Sequence, residues 1–325
     1  MRHKKLGNSD LSVSVLCFGA NVFGWTLKDE KLSFRLLDRC LEAGINFIDT
    51  ADIYSTWVPG NQGGESETLL GKWFKDRKNR DQVILATKVG MEMAPGKVGL
   101  RKNYIKKSID DSLMRLKTDY VDLYQSHKDD ETTPVEETLS AYAELVKAGK
   151  VRVIGASNYT AERLNESLKV SADKKYPRYE SLQPLYNLLE REEFETKLAP
   201  LCAKENIAVI GYYSLASGFL SGKYKKTEDK AQSDRGSRVE KYMNDRGFRV
   251  VAALEKVAKI VDSTPSAVAL AWLMAQPTVT SPIASATNEK QLEELIASTK
   301  LDLDSASLAL LNEASDYSQA SAGTR

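Results

Sequence analysis

The chain has 325 residues, 42% of them hydrophobic and 28% charged, with 46 Lys and Arg against 45 Asp and Glu. That near-neutral balance excludes a nucleic-acid or acidic-membrane partner held by bulk electrostatics, and it leaves ample apolar residue for a large core. No window approaches a membrane span and the start, MRHKKLGNSD, carries no apolar leader, so a cytoplasmic protein is expected.

In chain order, a short hairpin comes first, 4–6 and 11–13 about Gly7-Asn8. Apolar runs that read as strands follow at 15–19, 47–49, 83–88 and 121–125, then at 151–156, 181–183, 208–212 and 280–283. Helical periodicity fills the gaps: 32–43, 67–74, 104–116, 135–148, 161–170, 194–205, 249–261 with 265–276, and 291–298. A last helix, 304–314, is an appendage, and the tail 316–325 is expected to be disordered. The cysteines, Cys17, Cys40 and Cys202, are far apart, odd in number and set among apolar residues, so they read as buried reduced thiols.

Eight strands alternating with helices and no Pro/Gly-rich linker predict one α/β domain, a closed (β/α)8 TIM barrel with an N-terminal hairpin and a C-terminal extra helix. The rival, a doubly wound sheet, wants a glycine-rich phosphate turn after the first strand. CFGANVFGW, 17–25, lacks the G-x-G-x-x-G spacing. Insertions follow the second, fourth and seventh strands, on the face where barrels carry their sites. The longest, 214–244, is glycine-containing and charged, and is predicted to be a mobile clamp.

The most informative stretch is INFIDTADIY, 45–54. Its apolar run stops at Asp49, and a carboxylate where a buried strand emerges needs a cation. The next strand, VILATK, ends in Lys88, and YVDLYQSH after it ends in His127. Tyr54 follows Asp49 by five residues. A phenol titrates near ~10 when unperturbed, and a lysine beside it would lower that value while an aspartate holds the lysine in place. An imidazole opposite can donate a hydrogen bond to a carbonyl oxygen, so the four groups together can protonate an oxygen as a hydride reaches its carbon. With His3 in the exposed start, two-histidine metal ligation is not expected.

Here the sequence resembles the aldo-keto reductases, whose motif is an Asp–Tyr–Lys–His tetrad in this chain order. The resemblance places the tetrad at Asp49, Tyr54, Lys88 and His127 and supports the barrel. Later strand ends carry Ser157, Asn158, Gln183 and Tyr212: carboxamides that can read an amide, and a ring on which a flat nicotinamide can stack. All four match the family's nicotinamide-contacting positions. The segment YYSLASGFLSGKY, 212–224, is similar to the family's Tyr-Ser-Pro-Leu-Ala loop, which implies Ser214, Leu215 and Lys223 against the cofactor, although Tyr213 and Ser214 stand where Ser and Pro are usual. SPIASATNEKQLEELI, 281–296, resembles the adenosine-phosphate segment, which implies Ser285, Thr287, Gln291 and Glu294. Ser285 replaces a common glycine, Thr287 a frequent arginine or serine, and Leu295 a usual asparagine.

Gly64–Gly71 also matches the family's Gly-x-Ser-Glu-x-x-Leu-Gly signature, with Ser66 expected as an N-cap. The expectation is an NAD(P)H-dependent oxidoreductase acting on a small carbonyl or alcohol, with NADPH favoured over NADH and the oligomeric state unread. Phe23, Trp25 and Trp57 are candidate pocket walls. The alternative is a nicotinamide-binding regulatory or scaffolding subunit on the same barrel. The intact tetrad and the lack of an extra N-terminal segment argue against it.

Overall fold

In the computed structural model, which describes residues 1–224 and 236–318, a two-stranded hairpin precedes one eight-stranded parallel sheet. The hairpin is β1 (His3–Lys5) and β2 (Ser12–Ser14). The sheet runs in chain order through β3 (Cys17–Gly19), β4 (Phe47–Asp49), β5 (Ile84–Val89), β6 (Val121–Ser126), β7 (Val151–Ser157), β8 (Tyr179–Gln183) and β9 (Ala208–Val209). β10 (Ile283–Ala284) pairs with β3 from the other side. β10 and the residues before it close the ring: Thr280 N and Ser281 N donate to Val209 O at 2.9 and 3.2 Å, and Ile283 N donates to Gly211 O at 2.9 Å. Closure removes the exposed edges of the sheet. The chain forms the expected (β/α)8 barrel.

Helices follow the strands: α1 (Glu30–Glu42), α2 (Glu65–Arg77), α3 (Lys102–Leu116), α4 (Val135–Lys147) and α5 (Ala161–Lys174). Then come α6 (Ala199–Lys204), entered through one wide turn over Phe194–Leu198, the short α7 (Gly236–Val239), α8 (Asp245–Ile260), α9 (Pro265–Met274) and α10 (Glu289–Ser298). Side-chain caps start several of them, as at Asp29, Thr160, Asn244, Thr264 and Asn288. The appended α11 (Ser305–Ala314) is tied down by Arg249 Nε donating to Ala314 O at 3.2 Å and Trp272 Nε1 donating to Asn312 Oδ1 at 2.8 Å. Of the expected tail, residues 316–318 continue this packing, with Arg191 lying 5.7 Å from the Tyr317 ring. Residues 319–325 lie outside the described residues, as does 225–235 within the expected clamp.

Strand parity decides what fills the barrel. Successive side chains alternate faces, so Cys17, Phe47, Ala86, Leu123 and Ala208 point inward and pack together with Leu6, Leu11 and Val13 of the hairpin region, which plugs the lower end. Their neighbours Phe18, Ile48, Leu85, Tyr124 and Val209 join the larger layer under the helices. On four of the strands the next inward position up is polar: Asp49 above Phe47, Lys88 above Ala86, Gln125 above Leu123 and Gln183 above Ser181. All four are buried. All three cysteines are buried and unpaired, as expected.

α2 is built unusually close to its neighbours. It begins one residue after Gly64, whose φ of 81° suits glycine, and Ser66 is therefore not the N-cap expected from sequence. Ser66 Oγ instead donates to Ala20 O and accepts from Thr50 Oγ1, both at 2.8 Å, because its side chain faces the barrel rather than the helix end. The fully buried Glu67 accepts from Thr87 Oγ1 at 2.6 Å and from Arg115 Nε at 2.7 Å. One turn on, a Cβ at Gly71 would sit 2.0 Å from Arg115 O. Gly71→Ala must push α2 off α3, so it is expected to cost about 1–3 kcal/mol of stability, the range for overpacking. Urea unfolding of the two proteins checks this, with a clear drop in midpoint as the expected result.

Candidate active site

Lys88 organises the upper end of the barrel. Its side chain is fully buried, and each of its three N–H groups has an acceptor: Asp49 Oδ2 at 2.6 Å, Tyr54 Oη at 2.7 Å and Thr50 O at 2.9 Å. Asp49 is satisfied as completely. Its Oδ2 takes Lys88 and, at a longer 3.3 Å, the Tyr54 hydroxyl, while its Oδ1 takes Gln125 Nε2 at 3.1 Å and Gln183 Nε2 at 3.0 Å. Tyr54 lies on the loop after β4, its ring partly exposed to a cavity. His127 continues the inward series of β6, its backbone N–H donating to Val89 O at 2.8 Å, and its ring stands 6.0 Å from that of Tyr54. The four residues expected to form one site do meet.

Their electrostatics differ from the expectation in one respect. Burial, reinforced by the Asp49 carboxylate, pushes the Tyr54 phenol well above its ordinary value. The lowering expected from Lys88 does not prevail, because that ammonium is also held by Asp49, whose negative charge opposes it. Tyr54 therefore keeps its proton. Burial, followed by the nearby Lys88 charge, pushes His127 well below the usual histidine value, so the imidazole is neutral. His127 Nδ1 is buried without a partner. We assign the proton to Nε2, because an orphaned donor at Nδ1 would cost more than an unused acceptor. A protonated phenol and a neutral imidazole donor facing one space can together bond a carbonyl oxygen.

The predicted cofactor residues arc round the ends of β7 to β10. Ser157 Oγ donates to Gln183 O at 2.9 Å, and Asn158, in the left-handed region at φ 54°, donates to His127 O at 2.9 Å and accepts from Tyr212 Oη at 2.8 Å. Gln183 is tied into the tetrad rather than standing free: its Nε2 also reaches Gln125 Oε1 at 3.2 Å. Ser214 Oγ bonds Gly211 O at 3.3 Å. Leu215, at φ −105° and ψ 19°, is followed by Ala216 at φ 47°. Such a change of hand forms backbone concavities that bind anions. Gly218, at a φ of 95° that suits glycine, lies beside Lys223 Nζ. Ser285 and Thr287 are already engaged, Ser285 Oγ with Asn21 Oδ1 at 2.7 Å and Thr287 Oγ1 with Gln291 Oε1 at 3.0 Å. Glu294 lines the same cavity as Gln291.

That cavity measures about 1410 Å³ and runs from Glu294 to Trp57, past the tetrad. Drug-sized ligands occupy about 300–1,000 Å³, so this space suits an extended dinucleotide with room for a second molecule. The donor set fits the group too: carboxamides and an aromatic face at one end, a backbone concavity with Lys223 in the middle, and the Asn288-capped start of α10 at the other. The second molecule's end is walled by Trp25 and Trp57, edge to face at 5.5 Å. Phe23, expected beside them, is instead fully buried against Phe18 in the outer core. Sequence reasoning missed Gln125, Asn21 and Arg238, which lies 4.9 Å from the Trp25 ring. Gln125 was findable by strand parity, being two residues before His127.

The lowered His127 has a measurable consequence. The unfolded chain binds a proton at this residue below ~6.5 while the folded chain does not, so stability falls as pH drops through that value, by up to ~1.4 kcal/mol per pH unit. His127→Asn removes the term. The stability gap between wild type and variant is expected to shift toward the variant between pH 7.5 and pH 5.5, read by urea unfolding at both values. A gap that does not move with pH contradicts a buried neutral imidazole.

Residues 15–316 match the model of the Aldo/keto reductase family. Full-length relatives include the oxidoreductase YrpG of Bacillus subtilis, 34% identical over 96% of this chain and 95% of its own. The aldo-keto reductase yakc [NADP(+)] of Schizosaccharomyces pombe is 31% identical, covering 97% and 92%. A probable voltage-gated potassium channel subunit beta of Oryza sativa is 34% identical, covering 90% of each chain. With a family match over nearly its whole length on an eight-stranded barrel, the chain belongs to the aldo/keto reductase family of oxidoreductases.

Proposed function

We propose that this protein reduces aldehydes or ketones to alcohols, reversibly, using NADPH, with Tyr54 as the general acid. The observation that carries the reading is the Lys88 ammonium bonded at once to Asp49 Oδ2 and Tyr54 Oη, two residues that line a cavity large enough for a dinucleotide. A nicotinamide, when bound, supplies the hydride. The protein's own groups handle the proton. Tyr54 is held protonated by burial and Asp49, and its bond to Asp49 is long at 3.3 Å, so turning the hydroxyl toward a carbonyl oxygen sacrifices little. As the proton leaves, the phenolate oxygen already has Lys88 Nζ at 2.7 Å to balance its charge. His127 orients the same carbonyl oxygen by its N–H and, being neutral, does not compete as an acid.

Ser157, Asn158, Gln183 and Tyr212 would hold the nicotinamide; Ser214, Leu215 and Lys223 the pyrophosphate; Ser285, Thr287, Gln291 and Glu294 the adenosine end. The printed name of the yeast relative supports NADP. The hydroxyls of Ser285 and Thr287 are partly spent on Asn21 and Gln291, which leaves Lys290 as the charge for a 2′-phosphate. A lysine acts as a point charge without the bidentate grip of an arginine. NADPH is therefore expected to bind more tightly than NADH by a modest factor that shrinks as salt rises. Fluorescence titrations of both cofactors at low and high ionic strength check this, and equal affinities at low salt would reject it.

The rice relative supports a second reading, a nicotinamide-binding regulatory or scaffolding subunit with little turnover. Two variants separate the readings. Tyr54→Phe keeps the ring but removes the proton donor, so kcat is expected to fall by about 10²–10⁴ with cofactor affinity nearly intact. Lys88→Met is expected to lose activity similarly, but also to lose about 3–5 kcal/mol of stability, because it strands Asp49 without its cation. Wild-type turnover of Tyr54→Phe would remove the general-acid assignment. A wild type that binds cofactor tightly yet reduces nothing in a broad carbonyl panel would favour the regulatory reading.

A further inference from the structure

The residue after His127 sets a charge at the substrate end of the cavity. Sequence alone makes Lys128-Asp129-Asp130 look like a solvated run in which the charges offset one another. The structure separates them. Asp129 accepts from Arg163 Nε at 2.9 Å. Asp130 turns the other way, accepting from Leu100 N at 2.9 Å and from the hydroxyls of Thr132 and Thr133 at 2.6 and 2.7 Å, bonds that hold its carboxyl down at about 2. Lys128 is left on the cavity wall beside His127, exposed, and no described carboxylate pairs with it.

The cavity divides by strand order. Its β7 to β10 side carries the groups assigned above to the dinucleotide, so a second molecule lies toward the loops after β3 to β6, against Trp25, Ile53, Trp57, Met91 and Lys128. Among the described residues of that side, Lys128 has no charged partner and Asp49, the one carboxylate, is already neutralised by Lys88. The other cation at this end, Arg238, is engaged by the walls themselves, lying 4.9 and 6.0 Å from the Trp25 and Trp57 rings and donating to Tyr213 Oη at 3.4 Å. A neutral substrate would leave the ammonium with only water to bond. Its position next to His127 puts it within a lysine's reach of a group a few bonds from the carbonyl.

We propose that the preferred substrates are carbonyl compounds bearing an anionic group, carboxylate or phosphate, a few atoms from the carbonyl, and that Lys128 is the residue that selects them. This rests on the carbonyl-reductase reading. A partly solvated charge-assisted bond of this kind is worth about five- to tenfold in kcat/KM, seen mainly in KM.

The test uses matched pairs on the full chain with NADPH: 4-oxobutanoate against its methyl ester, and glycolaldehyde phosphate against glycolaldehyde. Wild type is expected to favour the anionic member of at least one pair, less so at high salt, and the preferred pair tells carboxylate from phosphate. Lys128→Met should erase the preference while leaving the neutral members unchanged, and Lys128→Glu should reverse it. If wild type reduces neutral and anionic members equally, or if Lys128→Met keeps the preference, the inference is overturned and the reductase reading stands. If wild type reduces no member of either pair, the inference is overturned, and the broad carbonyl panel decides the reductase reading separately.

Discussion

A lysine with no access to water is the constraint around which this barrel top is arranged. Burying an ammonium is tolerable only when a countercharge and enough acceptors come with it. Lys88 has both, from Asp49 on the neighbouring strand and from a backbone carbonyl at Thr50. Asp49 in turn draws in the two glutamines at Gln125 and Gln183, so four strands converge on one charge pair. Tyr54 comes to this pair from a loop, and it is the member with a partly exposed ring. Rigid groups are thus on strands, and the group proposed to move a proton is on the more adaptable segment.

Behind the pair lies a supporting layer. α2 contributes Ser66 to the end of β4 through Thr50, and Glu67 to β5 through Thr87, the residues flanking Asp49 and Lys88 in sequence. The close approach permitted by Gly71 seats that helix against α3, whose Arg115 also holds Glu67. This gives the Gly-x-Ser-Glu-x-x-Leu-Gly stretch a physical meaning beyond starting a helix: it fixes the separation of two strand ends from outside the barrel.

Much of this was legible in the sequence because strand ends announce themselves. At Asp49, Lys88 and His127 an apolar run stops at a group that cannot be buried alone, and period-two alternation then puts such groups on one side. Gln125 escaped because it sits inside its strand and carries no charge, although the same alternation includes it. Ser66 misled because a serine at a helix start usually caps, and only the distance to Ala20 and Thr50 shows its hydroxyl turned inward. The partner of Ser285 is Asn21, 264 residues away, and no local pattern joins them. Phe23 and Trp25 lie two residues apart in one loop, yet one packs under the helices and the other lines the cavity. Side-chain direction in an irregular segment has no period to read.

Gln183 has a consequence of its own. Its side-chain nitrogen holds Asp49, while its backbone oxygen accepts from Ser157 at the start of the proposed cofactor arc. A bound amide that drew Gln183 Nε2 toward itself would take one of the donors that steady Asp49, and Asp49 would lean harder on Lys88. Linkage makes such an effect run both ways with equal size. Any change that alters how firmly the barrel grips its buried lysine must then alter, by the same free energy, how firmly it grips that amide. The two halves of the cavity share a single carboxamide, and so cannot be tuned independently.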